Sequence, residues 1–153
     1  MTQGLYLEDL AVGQTFRAGP LSVDVEELVR FARDYDPQYF HTDPEAAKSS
    51  MFGGLVASGW LTAALTMRML NEGGAPFAGG VIGAGGEISW LRPVRPGDSL
   101  RIESEVLKIT PSRSRPDRGS VICKTTTFNQ RDEVVQMLTA KLVVFARGGR
   151  NAS

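Results

Sequence analysis

The apolar positions of this chain follow a helical period first and a strand period later. Val25, Leu28, Val29, Ala32 and Tyr35 share one helical face, and Asp24 stands before them with Glu27 three positions on, in the manner of a capping box. Pro37 disfavours helical geometry at the residue before it, so this helix is expected to end near Tyr35 and leave Asp36 in a loop. A short helix is expected within residues 42–50, capped by Thr42 or Asp43 with Pro44 in its first turn. Gly53 and Gly54 then break the chain. From Ser58 onward the run GWLTAALTMRML is apolar or small nearly all round, with Arg68 its only charge. It predicts a buried helix of about 12 residues, about 18 Å long.

The period then shortens to two. Residues 87–92, 99–109, 120–128 and 134–146 are rich in Val, Ile, Thr and aromatics, and "RIESEV" and "CKTTTF" alternate. The turn-like stretches PVRPGD, PSRSRPDRG and NQRDE separate them. Four strands after two helices predict an α+β fold, an antiparallel sheet whose curved face is filled by the apolar helix. No repeat or long linker interrupts the chain, so one domain is expected over residues 1–147, with a frayed tail over 148–153.

Composition narrows the classes of function. A chain of 153 residues suits one domain that buries roughly 70% of its unfolded surface. Seventeen acidic and seventeen basic residues cancel, so no overall field draws in nucleic acid. Cys123 is the only cysteine, which excludes an intramolecular disulfide and suits a reducing compartment; it reads as a small core or sheet residue. The opening MTQGLYLEDL has neither a basic region nor a long apolar one, unlike a signal peptide. The most apolar run, residues 53–70, contains Ser58, Thr62, Thr66 and Arg68 and is a poor membrane span. A cytoplasmic protein with no nucleic-acid or membrane partner is expected.

The candidate chemistry lies between the two helices. His41 is the only histidine and follows Asp36 by five residues. An imidazole beside a carboxylate can share a proton and hold water as a general base, although the spacing by itself favours a structural histidine. Both residues precede the start of the apolar helix at Ser58-Gly59. Helix N-termini present unpaired N–H donors and partial positive charge, and glycine allows a ligand close to the backbone, as oxyanion chemistry requires. Gly53 and Gly54 read instead as tight turns. Asp36, His41 and Asp43 offer one nitrogen and two flexible carboxylates, a poor set for zinc. Ser58 lacks a G-x-S-x-G elbow, and GGVIGAGGE lacks the last glycine of a dinucleotide fingerprint, because Ile88 stands there. No metal and no dinucleotide is expected.

The run D-P-Q-Y-F-H-T-D-P-E-A-A, then F-G-G-L-V-A-S-G-W, then L-R-P-V-R-P-G-D resembles the MaoC-like acyl dehydratases, relatives of the (R)-specific enoyl-CoA hydratases. The resemblance implies a hot-dog fold, with a long central helix wrapped by an antiparallel sheet, paired as a homodimer or dimer of dimers with the site near the interface. It implies reversible hydration of a 2-enoyl thioester carried by coenzyme A or an acyl carrier, with no cofactor. On this chain Asp36 and His41 would activate the water, and the Gly59 N–H would stabilise the enolate oxygen. Gln38, Ser58, Trp60 and Phe52 would meet the substrate.

The chain departs from that pattern at three places. Gln38-Tyr39 stands where Asn-Pro is usual, Ser58 where His is frequent, and Met67, beside Thr66, where some members carry a supporting serine. Gln38 can orient Asp36, and Ser58 can cap the helix or touch the ligand. Arg113, Arg115 and Arg118 read as a solvated hairpin tip, with a coenzyme A phosphate as the lesser reading. Two other functions stay open. One is a hot-dog thioesterase, which would release free thiol, and the other is a non-catalytic acyl-thioester binding protein.

Overall fold

The computed structural model describes residues 4–148, so the expected tail, apart from Gly148, lies outside the described residues. Strands β1 (Thr15–Ser22), β2 (Ile82–Trp90), β3 (Ser99–Pro111), β4 (Arg118–Phe128) and β5 (Val134–Phe145) form one antiparallel sheet in the order β1-β3-β4-β5-β2. Helices α1 (Val25–Tyr35), α2 (Tyr39–Thr42), α3 (Pro44–Ala47) and α4 (Gly59–Met69) lie between β1 and β2. This is the expected α+β hot-dog arrangement, a helix packed on an antiparallel sheet.

Alternation builds the face that receives α4. Along β4 every second residue is buried from Gly119 to Thr127. Leu61, Leu65 and Met69 of α4 join one buried cluster with Leu100, Ile102 and Val106 of β3, Val121 of β4 and Val144 of β5. Each such side chain contributes about 1.5–3 kcal/mol on leaving water, which outweighs the weak helix propensity of the two threonines in α4. Capping fixes α1: Asp24 accepts from the Glu27 N–H at 2.9 Å, and Leu28 and Ala32 are buried. The helix ends at Tyr35 as expected, with Asp36 in the cap beyond it.

Four expectations need correction. The sheet has five strands, because β1 precedes the helices; Gly19-Pro20 interrupts its alternation, and its register shifts between Ala18 and Leu21, a device tolerated on an edge strand. Strand β2 begins at Ile82, five residues earlier than its composition indicates. Glycines mask it, and Gly86 is needed there because a Cβ would lie 2.5 Å from the Thr139 carbonyl oxygen. Between residues 38 and 50 the expected helix is present as α3, capped by Asp43 with Pro44 first, but a separate short helix, α2, precedes it. Finally, α4 has eleven residues, continues through a wider π turn (Leu70–Gly74), and is not buried all round: Trp60 and Met67 are exposed. Among the described residues no helix is long and apolar enough to cross a membrane.

Candidate active site

Three short stretches converge at the N-terminus of α4. Asp36 leaves α1 with φ −152° and ψ 68°, which turns the chain so that α2 can follow. On α2, His41 is buried, with its ring edge-on to Phe40. The strand-like segment before α4 is anchored at both sides, by Val56 N–H to the Phe40 carbonyl and Ala57 N–H to the Val94 carbonyl. The L-R-P-V segment after β2 is thus held against the chain entering α4. Arg95 tightens the same corner by donating to the Phe52 carbonyl at 2.6 Å.

His41 Nδ1 lies 2.7 Å from the Val56 carbonyl oxygen. A carbonyl can only accept, so Nδ1 carries a hydrogen and Nε2 is the nitrogen turned toward Asp36, with Oδ2 at 3.2 Å. Nε2 and Oδ2 are both acceptors unless a proton lies between them, so the pair is built to share one. The rest of the carboxylate is also engaged. Gln38 Nε2 donates to Oδ1 at 2.7 Å and Ser58 Oγ donates to Oδ2 at 2.7 Å. Burial pushes the Asp36 carboxyl up, but the Gln38 and Ser58 hydrogen bonds, with the charge and hydrogen bond of His41, outweigh it and hold the carboxyl below its ordinary range.

Ser58 is fully buried. Its hydroxyl oxygen also accepts the Trp60 N–H at 3.2 Å, so one side chain caps α4 and orients Asp36. Gly59 is the first helical residue, and its N–H has no partner within the helix. Its lack of a side chain was assigned above to ligand approach, but packing demands it as well: a Cβ would lie 2.6 Å from the Trp90 indole. Trp90 stands edge-on to Trp60, with centroids 5.1 Å apart. A cavity of about 450 Å³ opens here, and Asp36, Gln38, His41, Phe52, Gly59 and Trp60 all line it. Of the seven residues that the resemblance assigns to the site, only Ser58 does not line it.

Asp43, weighed above as a metal ligand, accepts from the Glu45 and Ala46 N–H groups as the cap of α3. Arg118 is bonded through two nitrogens to Asp117, at 2.9 Å each. Sequence reasoning missed the Val56 carbonyl, which fixes the histidine tautomer, and Trp90, which walls the cavity. Only the position of Trp90 immediately before L-R-P-V marked it.

An antiparallel sheet holding one helix, with a carboxylate and an imidazole at that helix's N-terminus, places the chain in the hot-dog class. The MaoC like domain model matches residues 9–127, and the chain belongs to that family. It is similar to YdeM of Bacillus subtilis, an uncharacterized protein, at 36% identity over 82% of this chain and 89% of the relative. It is similar to 3-hydroxybutyryl-CoA dehydratase of Methylorubrum extorquens at 32% identity over 86% and 78% respectively. Among solved structures, a MaoC-like dehydratase from Rhodospirillum rubrum superposes with a TM-score of 0.91 at 58% identity, covering 94% of this chain and 99% of that one. The (R)-hydratase PhaJ1 of Pseudomonas aeruginosa superposes with a TM-score of 0.74 at 27% identity, covering 94% and 88%.

Proposed function

We propose that the protein catalyses reversible hydration of a 2-enoyl thioester to the 3-hydroxyacyl thioester. The observation that carries this reading is the Asp36–His41 pair, 3.2 Å apart and turned into the cavity that Gly59 also lines. Membership of the MaoC-like family supports it, as does likeness to a protein named 3-hydroxybutyryl-CoA dehydratase and to an (R)-hydratase.

In this reading a water in the cavity lies beside the pair, within hydrogen-bond reach of both the Asp36 carboxylate and His41 Nε2. As its oxygen bonds to the β-carbon, its proton passes to the pair, and the π electrons of the double bond move onto the thioester oxygen. That oxygen gains negative charge beside the free N–H of Gly59 at the positive end of α4. The charge then returns to form the bond between the α-carbon and the proton held by the pair. Nothing is oxidised or reduced. Gln38 and Ser58 keep Asp36 ionised and correctly turned, while Trp60 and Phe52 supply apolar wall.

Pairing of two copies is part of this proposal. Trp60 and Met67 on α4 and Ile82 and Trp90 on β2 are large apolar side chains left exposed in the single chain. They lie on one helix and on an edge strand, the features a second copy would cover. Sedimentation is expected to show dimers or larger at working concentration, and monomer alone would refute pairing.

The decisive experiment follows loss of enoyl-thioester absorbance with crotonyl-CoA and longer 2-enoyl-CoAs, for wild type beside folded Asp36→Asn and His41→Ala. Turnover to a chiral 3-hydroxyacyl-CoA that collapses in both variants is expected. Free thiol release without hydration would instead identify a thioesterase, and binding without turnover a non-catalytic carrier-binding role.

A further inference from the structure

Two cavities flank α4, and a buried hydrogen-bonded row stands between them. The first is the candidate site. The second, of about 260 Å³, lies under the C-terminal half of the helix and is walled by Met67, Leu70, Cys123, Leu138, Ala140 and Leu142 among others. In the row, Trp90 Nε1 donates to Gln136 Oε1 at 2.9 Å, Gln136 Nε2 donates to Thr66 Oγ1 at 3.0 Å, and Thr66 Oγ1 lies 2.7 Å from Thr127 Oγ1. The sheet register aligns these groups: Trp90 is directly opposite Gln136, and Gln136 directly opposite Thr127.

On α4 and β2, the two elements that line both cavities, the row falls at the boundary, and β4 and β5 carry it on beside the second cavity. On α4, Thr62 lines the first cavity, Thr66 belongs to the row and Met67 lines the second. On β2, Trp90 lines the first and Gly85 the second. On β5, Gln136 is in the row and Leu138 in the second cavity; on β4 the corresponding residues are Thr127 and Thr125.

We propose that Gln136, acting through Trp90, is a positioning residue that limits the length of acyl chain the site accepts; this rests on the thioester reading above. The indole N–H donates only, so it fixes which end of the Gln136 amide faces Thr66, and the Thr66 hydroxyl hydrogen is then free for Thr127. Gln136, Thr66 and Thr127 are wholly buried, and among the described residues no buried side-chain nitrogen or oxygen lacks a partner. The row therefore has no polar group left over to welcome a polar tail. An apolar tail passing through must break bonds where water cannot replace them. Trp90 in turn fills the space beside Gly59, so the anchor that closes the far end also sets the wall at the reacting end. A short acyl chain fits in front of the row, and a long one needs the second cavity.

The test compares butyryl-CoA with octanoyl-CoA by calorimetric binding, and crotonyl-CoA with 2-octenoyl-CoA by kcat/KM, in wild type, Gln136→Ala and Trp90→Phe. Wild type is expected to favour the short chain by about tenfold or more. Gln136→Ala, which joins the cavities, is expected to move the long-to-short ratio by about tenfold toward the long chain in both measurements. Trp90→Phe loses the indole N–H at a half-exposed position and should move it the same way by less, which decides the matter if Gln136→Ala does not fold. A wild type that favours the long chain, or ratios unchanged in the folded variants, would overturn the partition while hydration itself stands. A shifted binding ratio with no turnover of any enoyl-CoA would overturn hydration and leave the partition standing. No binding of either acyl-CoA would overturn both.

Discussion

The two ends of α4 face cavities of opposite character. At the N-terminal end, Asp36 and Gln38 from the link between α1 and α2, with His41 of α2, meet the first turn of α4, so charge and unpaired N–H groups share an open space. At the C-terminal end, Met67, Leu70 and the strands enclose a pocket with almost no polar surface. Burial alone raises the Cys123 thiol there to about 11. The same helix thus offers unsatisfied backbone at one end, where the proposed chemistry would lie, and packed apolar side chains at the other.

The largest effect should come from removing the proton-sharing pair. Asp36→Asn keeps the shape but replaces a carboxylate oxygen with an amide NH2 that cannot take up the proton of water, and hydration is expected to fall by about 10²–10⁴ in kcat. An active Asp36→Asn enzyme in the enoyl-CoA assay would move the chemistry away from this end of the helix. Gly59→Ala comes next. Its Cβ must displace the Trp90 ring, and kcat/KM should fall by about 10²-fold with the fold retained, as steady-state kinetics beside circular dichroism would show.

Ser58→Ala should act more gently, through both of its hydrogen bonds. Loss of the cap costs about 0.5–2 kcal/mol, measurable by urea unfolding at neutral pH. The variant also loses a bond that keeps the Asp36 carboxyl low. A depressed carboxyl stabilises the fold above its ordinary value of 3.8 and loses that contribution as pH falls through its lower folded value. The stability gap between wild type and Ser58→Ala should therefore narrow in acid.

The smallest effect is expected at the other cavity. With its thiol at about 11, Cys123 should be about one part in 10³ thiolate at pH 8 and resist a thiol reagent until the protein unfolds. Rapid labelling of folded protein would show that the pocket is open to water.

These contrasts also divide what the sequence discloses from what it hides. The segment from Asp24 to Trp60 was legible because its signals are local: Asp24 as a cap, Pro37 as a stop, and one imidazole near one carboxylate. Strands β3, β4 and β5 were legible from period-two patterning. Strand β1 and the first half of β2 were not, since Gly19-Pro20 and the glycines at 83, 85 and 86 are strand residues only by virtue of neighbours distant in sequence. Long-range partners explain the misses at the site too. No spacing rule brings Val56 to His41, Trp90 onto Gly59, or Gln136 beside Thr66. Even Ser58 showed only half its part, because a cap is a local event and a bond to a carboxylate 22 residues away is not.

That double use of Ser58 couples local opening of α4 to the hold on the Asp36 carboxylate. When the first turn of α4 frays, the Trp60 amide loses its acceptor and the Asp36 carboxylate loses a donor in the same event. Deuterium uptake at the Trp60 amide therefore reports the fraction of molecules whose carboxylate has come adrift, in protein that has seen no substrate.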